Sequence, residues 1–206
     1  MKTENSGIKI STLTGKLKGF RALNTNTLSN EFCSKMRNSD AVCRKCYSAA
    51  MLQGVRQNCI PPWEKNSKIL SGSVLEKDQL PVILDKVFRF HAHGELINSN
   101  HLENYINICR KNSDTVFALW TKRKNLISDY VKSGRALPDN LILIYSNPKT
   151  NKVLTRVPVN FDKVFNASDS GRVSRGQIEC TGKDCAACMA CYVKDNGKNI
   201  IVEKVK

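Results

Sequence analysis

Apolar positions are most regular in the middle of the chain. Residues 87–91 (VFRFH), 115–121 (TVFALWT) and 141–145 (LILIY) read as short strands, the last a continuous apolar run of the kind a buried parallel strand shows. Between them, residues 101–111 (HLENYINICRK) set Tyr105, Ile108 and Cys109 on one helical face, and residues 126–133 make a helix that stops at Gly134. Residues 163–167 (KVFNA) supply the next strand and residues 199–205 (NIIVEKV) a final one. Strands alternating with helices predict parallel βαβ units. The N-terminal part is less regular. Ile8, Ile10 and Leu13 point to one strand, and residues 33–46 read as a loop rich in Ser, Asn and Arg. Residues 47–58 have helical composition and end before Pro61-Pro62. Residues 63–70 and 80–87 read as two further helices, the second opened by Pro81 near its first turn.

Polar residues gather where the predicted strands end: His91-Ala92-His93-Gly94-Glu95, Thr121-Lys122-Arg123 and Ser146-Asn147. Parallel α/β folds place their sites at the carboxyl ends of strands. The bland alternative is a set of ordinary polar loops, and Lys122 and Asn147 fit that description well. A loop with two histidines and a glycine points more to function, and His91 is the histidine assigned to the site.

Length and charge narrow the picture. The 206 residues suit one α/β domain, here read as residues 1–206 with a cysteine-rich loop at 33–46, a core at 47–170 and a C-terminal cysteine loop at 180–191. The opening MKTENSGIKI lacks the long apolar stretch of a secretory signal, and no run approaches the ~18–20 apolar residues of a membrane span. A cytoplasmic protein with no membrane partner is expected, in the host cytoplasm if the chain is viral. The formal charge is +15, concentrated at the ends: residues 1–60 carry +7, residues 61–120 none and residues 121–206 +8. Such a balance favours a polyanion, nucleic acid first; a solubilising surface or compensation for an anionic cofactor are the alternatives. The aromatics Trp63, Trp120, Tyr145 and Tyr192 offer base-stacking surfaces, although each reads more simply as core.

The basic ends are also the cysteine-rich ends. Cys33, Cys43 and Cys46 are spaced C-x9-C-x2-C, and Cys180, Cys185, Cys188 and Cys191 are spaced C-x4-C-x2-C-x2-C. In a reducing compartment clustered cysteines bind metal more often than they form disulfides. Repeated C-x2-C steps resemble ferredoxin ligation more than zinc ligation, which favours separate pairs. Zinc and unligated thiols remain alternatives. Arg44, Lys45 and Lys183 are placed to offset thiolate charge. Cys59 and Cys109 read as small core residues. Seven ligands suit one four-iron–four-sulfur (4Fe-4S) cluster with thiols to spare, or two clusters, one of them short of a protein ligand.

Three stretches carry a family resemblance. Cys33 with Cys43-Arg44-Lys45-Cys46-Tyr47-Ser48-Ala49, Phe88-Arg89-Phe90-His91-Ala92-His93-Gly94-Glu95, and Cys180 with Cys185-Ala186-Ala187-Cys188-Met189-Ala190-Cys191-Tyr192 resemble the motifs of phage proteins of the "gene product 88" type. Glu95 stands where that pattern has Asp, and Ser48 where it tends to have Ala. That family is in turn distantly similar to radical S-adenosylmethionine proteins, which implies a partial (β/α) barrel. It also implies a cluster on Cys33, Cys43 and Cys46, with S-adenosylmethionine held by His91, Gly94 and Glu95. The three cysteines depart from the C-x3-C-x2-C spacing of that superfamily. The resemblance therefore leaves three functions open: a phage iron–sulfur protein contacting nucleic acid or its machinery, a radical S-adenosylmethionine-like enzyme, or a zinc-stabilised binding module.

Overall fold

The computed structural model describes residues 7–205; residues 1–6, where the opening segment read as lacking a secretory signal begins, and residue 206 lie outside them. Its frame is one eight-stranded sheet. The strands are β1 (Ile10–Thr12), β2 (Arg21–Leu23), β3 (Val87–Phe90), β4 (Val116–Thr121), β5 (Leu141–Ser146), β6 (Lys163–Ser168), β7 (Ile178–Cys180) and β8 (Ile200–Lys204). Their order is β1-β2-β3-β4-β5-β6-β8-β7. Among the described residues only the β1–β2 pair is antiparallel. The sheet is open, with β1 and β7 at its edges. The parallel α/β expectation therefore holds, as an open and mostly parallel sheet.

The helices are α1 (Glu31–Arg37), α2 (Tyr47–Gln53), α3 (Ile60–Gly72), α4 (Ser99–Lys111), α5 (Lys124–Lys132) and the single turn α6 (Cys185–Cys188). One face of the sheet sends Leu23, Phe88, Phe90, Phe117, Leu119, Leu141 and Leu143 against Leu70 of α3, Leu102, Tyr105, Ile106 and Ile108 of α4, and Ile127 and Tyr130 of α5. Phe90 stacks on Tyr105 at 3.9 Å and on Phe117 at 5.1 Å between ring centres. The other face is smaller: Ala22, Ala118, Ile142 and Ile144 are covered by Leu13, Phe20 and Tyr192, with Cys185, Met189 and Cys191 packed alongside. Small residues on this side let the C-terminal segment lie close to the sheet.

Three local expectations are corrected. Residues 81–86 are not helical; Pro81 lacks a backbone donor, Val82 and Leu84 are exposed, and the Ile83 N–H donates to the Asn112 side chain at 2.7 Å. Pro61 and Pro62 open α3 rather than end a helix, since the first turn needs no donor from them. The cysteine "loops" carry regular structure: Cys33 is on α1, Cys43 in a 3-10 turn (Val42–Lys45), Cys46 caps α2, Cys180 is on β7, and Cys185 and Cys188 are on α6. Among the described residues no helix is long and apolar enough to cross a membrane.

Candidate metal centres at the strand ends and on the sheet face

Side chains at the carboxyl ends of the strands pull the first cysteine segment over the sheet. Asn30 caps α1 by accepting the Cys33 N–H at 3.2 Å and donates its own amide to the Glu95 carbonyl, beyond β3, at 2.9 Å. The Val42 N–H donates to the Pro148 carbonyl, beyond β5, at 2.7 Å. The Tyr47 hydroxyl donates to the Ala92 carbonyl. These ties hold Cys33, Cys43 and Cys46 across the ends of β3, β4 and β5. Burial, then Glu95 and the neighbouring Cys46 and Cys43, pushes the Cys33 thiol well up. Burial also raises Cys43, while the Lys122 and Arg37 cations draw it down. The three thiols, Glu95 and Lys122 thus share one electrostatic neighbourhood. Arg44 and Lys45 instead point to solvent, so Lys122 and Arg37 do the work expected of them.

Glu95 is buried and heavily used. Its Oε1 accepts from the Thr121 hydroxyl at 2.6 Å and from the Leu96 N–H at 2.8 Å; its Oε2 accepts from the Lys122 N–H at 2.8 Å. Burial raises its carboxyl despite these donors. Two carboxylate oxygens offer about four acceptor positions, so about one is left for a further donor. Lys122 reaches across to Ser146 Oγ at 2.9 Å. Gly94 crosses directly over Thr25.

The two histidines turn toward the helices. The strand ends at Phe90, and His91 takes φ 59°, turning its ring to Tyr105 of α4, with Nε2 3.0 Å from the hydroxyl, and edge-on to His101. His93 stacks on Trp63 at 4.7 Å between centres, with Nδ1 3.0 Å from Ser48 Oγ. Both rings pack among helices. Of the aromatics considered for stacking, Trp63, Tyr145 and Tyr192 are buried, and Trp120 is partly covered by Arg89.

The second cysteine set forms on the sheet's smaller face. Asp184 caps α6, accepting from Ala186 N and Ala187 N at 2.9 and 3.1 Å, and Met189 at φ 51° turns the chain back. Tyr192 then stacks on Phe20 at 4.6 Å. Cys180, Cys185 and Cys188 all bear on Cys191, whose thiol burial pushes up to about 12. The groups that perturb this set are Arg89, Lys16 and Glu203, not those around Cys33. Lys163, a charge inside β6 that sequence pattern passes over as surface, is buried. It donates to Asn196 Oδ1 at 2.9 Å and to the Lys194 and Lys198 carbonyls at 3.2 Å each, fixing the loop after Cys191. Cys109 is buried in the helix-side core, and Cys59 ends a 3-10 turn (Gln57–Cys59) before α3. Among the described residues no group of three or more His, Cys, Asp or Glu side chains is arranged to hold a metal ion.

No curated protein and no solved structure matches the chain, so the wider likeness to radical S-adenosylmethionine proteins gains no support there. A family model described as Gene product 88 matches residues 2–199. The chain therefore belongs to the Gene product 88 family, a family of phage gene products.

Proposed function

We propose that this protein carries two 4Fe-4S clusters. Cys180, Cys185, Cys188 and Cys191 would fully ligate one of them. Cys33, Cys43 and Cys46 would hold the other through three irons, leaving the fourth for S-adenosylmethionine beside Glu95. The carrying observation is the division of seven cysteines into a set of three over the strand ends and a set of four around Cys191, two of which pack on the sheet's smaller face. A four-iron cluster spreads its thiolates over separate irons. Sets of three and four thiols match in number an open and a closed four-iron cluster, and repeated C-x2-C steps are commoner in cluster ligation than in zinc ligation. The sequential order β2 to β6 is the one a partial (β/α) barrel requires. A bound cofactor would supply a carbon radical; the chain's part is to hold it with the spare Glu95 acceptor and to place Lys122 beside the thiols.

Anaerobic purification tests this. About eight irons and eight sulfides per chain are expected, falling by about half when Cys33, Cys43 and Cys46 are changed together to alanine. S-adenosylmethionine should alter the electron-paramagnetic spectrum of the reduced wild type and leave that of the triple variant unchanged. A colourless, zinc-loaded chain would instead favour the zinc-stabilised module.

A second reading concerns the partner. Lys35, Arg44 and Lys45 are exposed on the first cysteine segment, and Arg37, Asn38, Ser39, Asp40 and Arg44 line a shallow recess there. This basic rim supports contact with nucleic acid. Binding of a single-stranded oligonucleotide should weaken with a log–log salt slope of about −2 if three phosphates are met. Changing Lys35, Arg44 and Lys45 to alanine should flatten that slope, and salt-independent binding would remove the reading.

A further inference from the structure

Arg89 is the one feature of the sheet's smaller face that packing does not explain. It stands on β3 in register with Ala22 and Ala118, where its neighbours are small and apolar. Its guanidinium lies 3.7 Å over the Trp120 ring. Its hydrogen bonds are long: Nε and Nη2 to the His91 carbonyl and Nη1 to the Tyr192 hydroxyl, each at 3.4 Å. A guanidinium carries five N–H donors, so two are unused and three are weakly used. Among the described residues no carboxylate pairs with it. Lys16, on the same side, differs in this respect, because it is neutralised by Glu203 at 2.6 Å.

Arg89 is half-buried, and a cation partly withdrawn from water without an anion is unfavourable unless something compensates it. The groups beside Arg89 with anionic forms are Tyr47, Tyr192 and Cys191. Tyr192 follows Cys191 directly, and Cys185 and Cys191 pack onto the apolar patch that Tyr192 and Trp120 form. We infer that Arg89 is the fixed counter-charge of the C-terminal four-thiolate cluster and holds its reduction potential up. The inference rests on the two-cluster reading. A 4Fe-4S cluster with four thiolates is an anion in both states and gains a further negative charge on one-electron reduction. A nearby permanent cation therefore favours the reduced state, and Trp120 covers one face of that cation.

The test is a redox titration of the full-length holoprotein, wild type against Arg89→Met and Arg89→Lys. Two couples are expected in the wild type. In R89M the couple that survives in the Cys33/Cys43/Cys46 alanine variant should shift to lower potential, with the reduced fraction at a fixed potential falling about tenfold, equal to about 59 mV for one electron. R89K, which keeps the charge, should stay near wild type. Loss of the C-terminal cluster in R89M with retention in R89K also fits a charge role. Equal potentials in all three proteins, or equal cluster loss in both variants, would overturn the inference while leaving the two-cluster reading intact. Iron-free wild-type protein would instead sink that reading, and this inference with it.

Discussion

Gly94→Ala is expected to cost about 4 kcal/mol or more, at the severe end for single substitutions. Gly94 has φ +107°, a backbone region that side-chain-bearing residues avoid. A methyl placed there would lie 2.2 Å from Thr25 Oγ1, 2.9 Å from the Thr25 carbonyl and 3.1 Å from its N–H. Thr25 cannot retreat: it is fully buried, and its N–H donates to the His93 carbonyl at 3.2 Å. Backbone strain and steric conflict therefore add. A domain holds only about 5–15 kcal/mol in total, so much of the stability would go, and with it the placement of Glu95. Urea unfolding measures the loss as a lowered midpoint. Adding Thr25→Ala removes the nearest contact but leaves the two backbone contacts and the strained φ, so the double variant should recover only part. A wild-type midpoint for G94A would contradict this account of the crossing.

The strands legible in the sequence are β3, β4, β5, β6 and β8, together with the edge strand β1, which falls among Ile8, Ile10 and Leu13. β4 and β5, at the centre of the sheet, are buried along most of their length and write a nearly continuous apolar signal, whereas β3 alternates buried and half-buried positions. β2 and β7, at three residues each, carry too few positions for a pattern. Arg21–Leu23 is a strand because Phe88–Phe90 pairs with it. α1 was invisible for another reason. It buries no residue and is fixed by its Asn30 cap and by a bond to Glu95, 65 positions away. The cysteine spacings separated two groups of thiols, but no spacing places one group over the strand ends and the other on the sheet face. Arg89 and Lys163 were legible only as anomalies, charges inside strands, and such a charge ordinarily reads as the solvent side. His91 was read as the end of a strand; its positive φ sends the ring toward α4 instead.

That turn toward α4 gives the chain a strong acid sensitivity. His91, His93 and His101 are buried. Burial lowers His91 to about 3 and His93 to about 4, with the Arg89 cation adding to both and Arg56 to His93. Burial, then His91, holds His101 well below its usual range. His91 and His93 are therefore neutral in the folded chain at pH 5, while each protonates near 6.5 once unfolded. The folded values are depressed relative to the unfolded ones, so for these groups stability is present above pH 6.5 and is lost as pH falls toward 4. His91 and His93 each forfeit about 2 kcal/mol between pH 7 and pH 5, and His101 adds to the loss in the same direction. Glu95 works in the opposite direction, since burial raises its carboxyl and the folded chain takes that proton first, but it offsets at most one proton against three. The loss from His91 and His93 alone, about 4 kcal/mol before the Glu95 offset, is a large share of the stability of a weak domain. Urea midpoints of the metal-free chain from pH 7 to pH 5 should fall steeply. His101→Gln keeps an acceptor for the Ile97 N–H, which His101 Nδ1 takes at 3.2 Å, and removes one titrating ring, so it should reduce the slope by about one proton. Stability that stays level from pH 7 to pH 5 would mean these rings are not held neutral inside the folded chain.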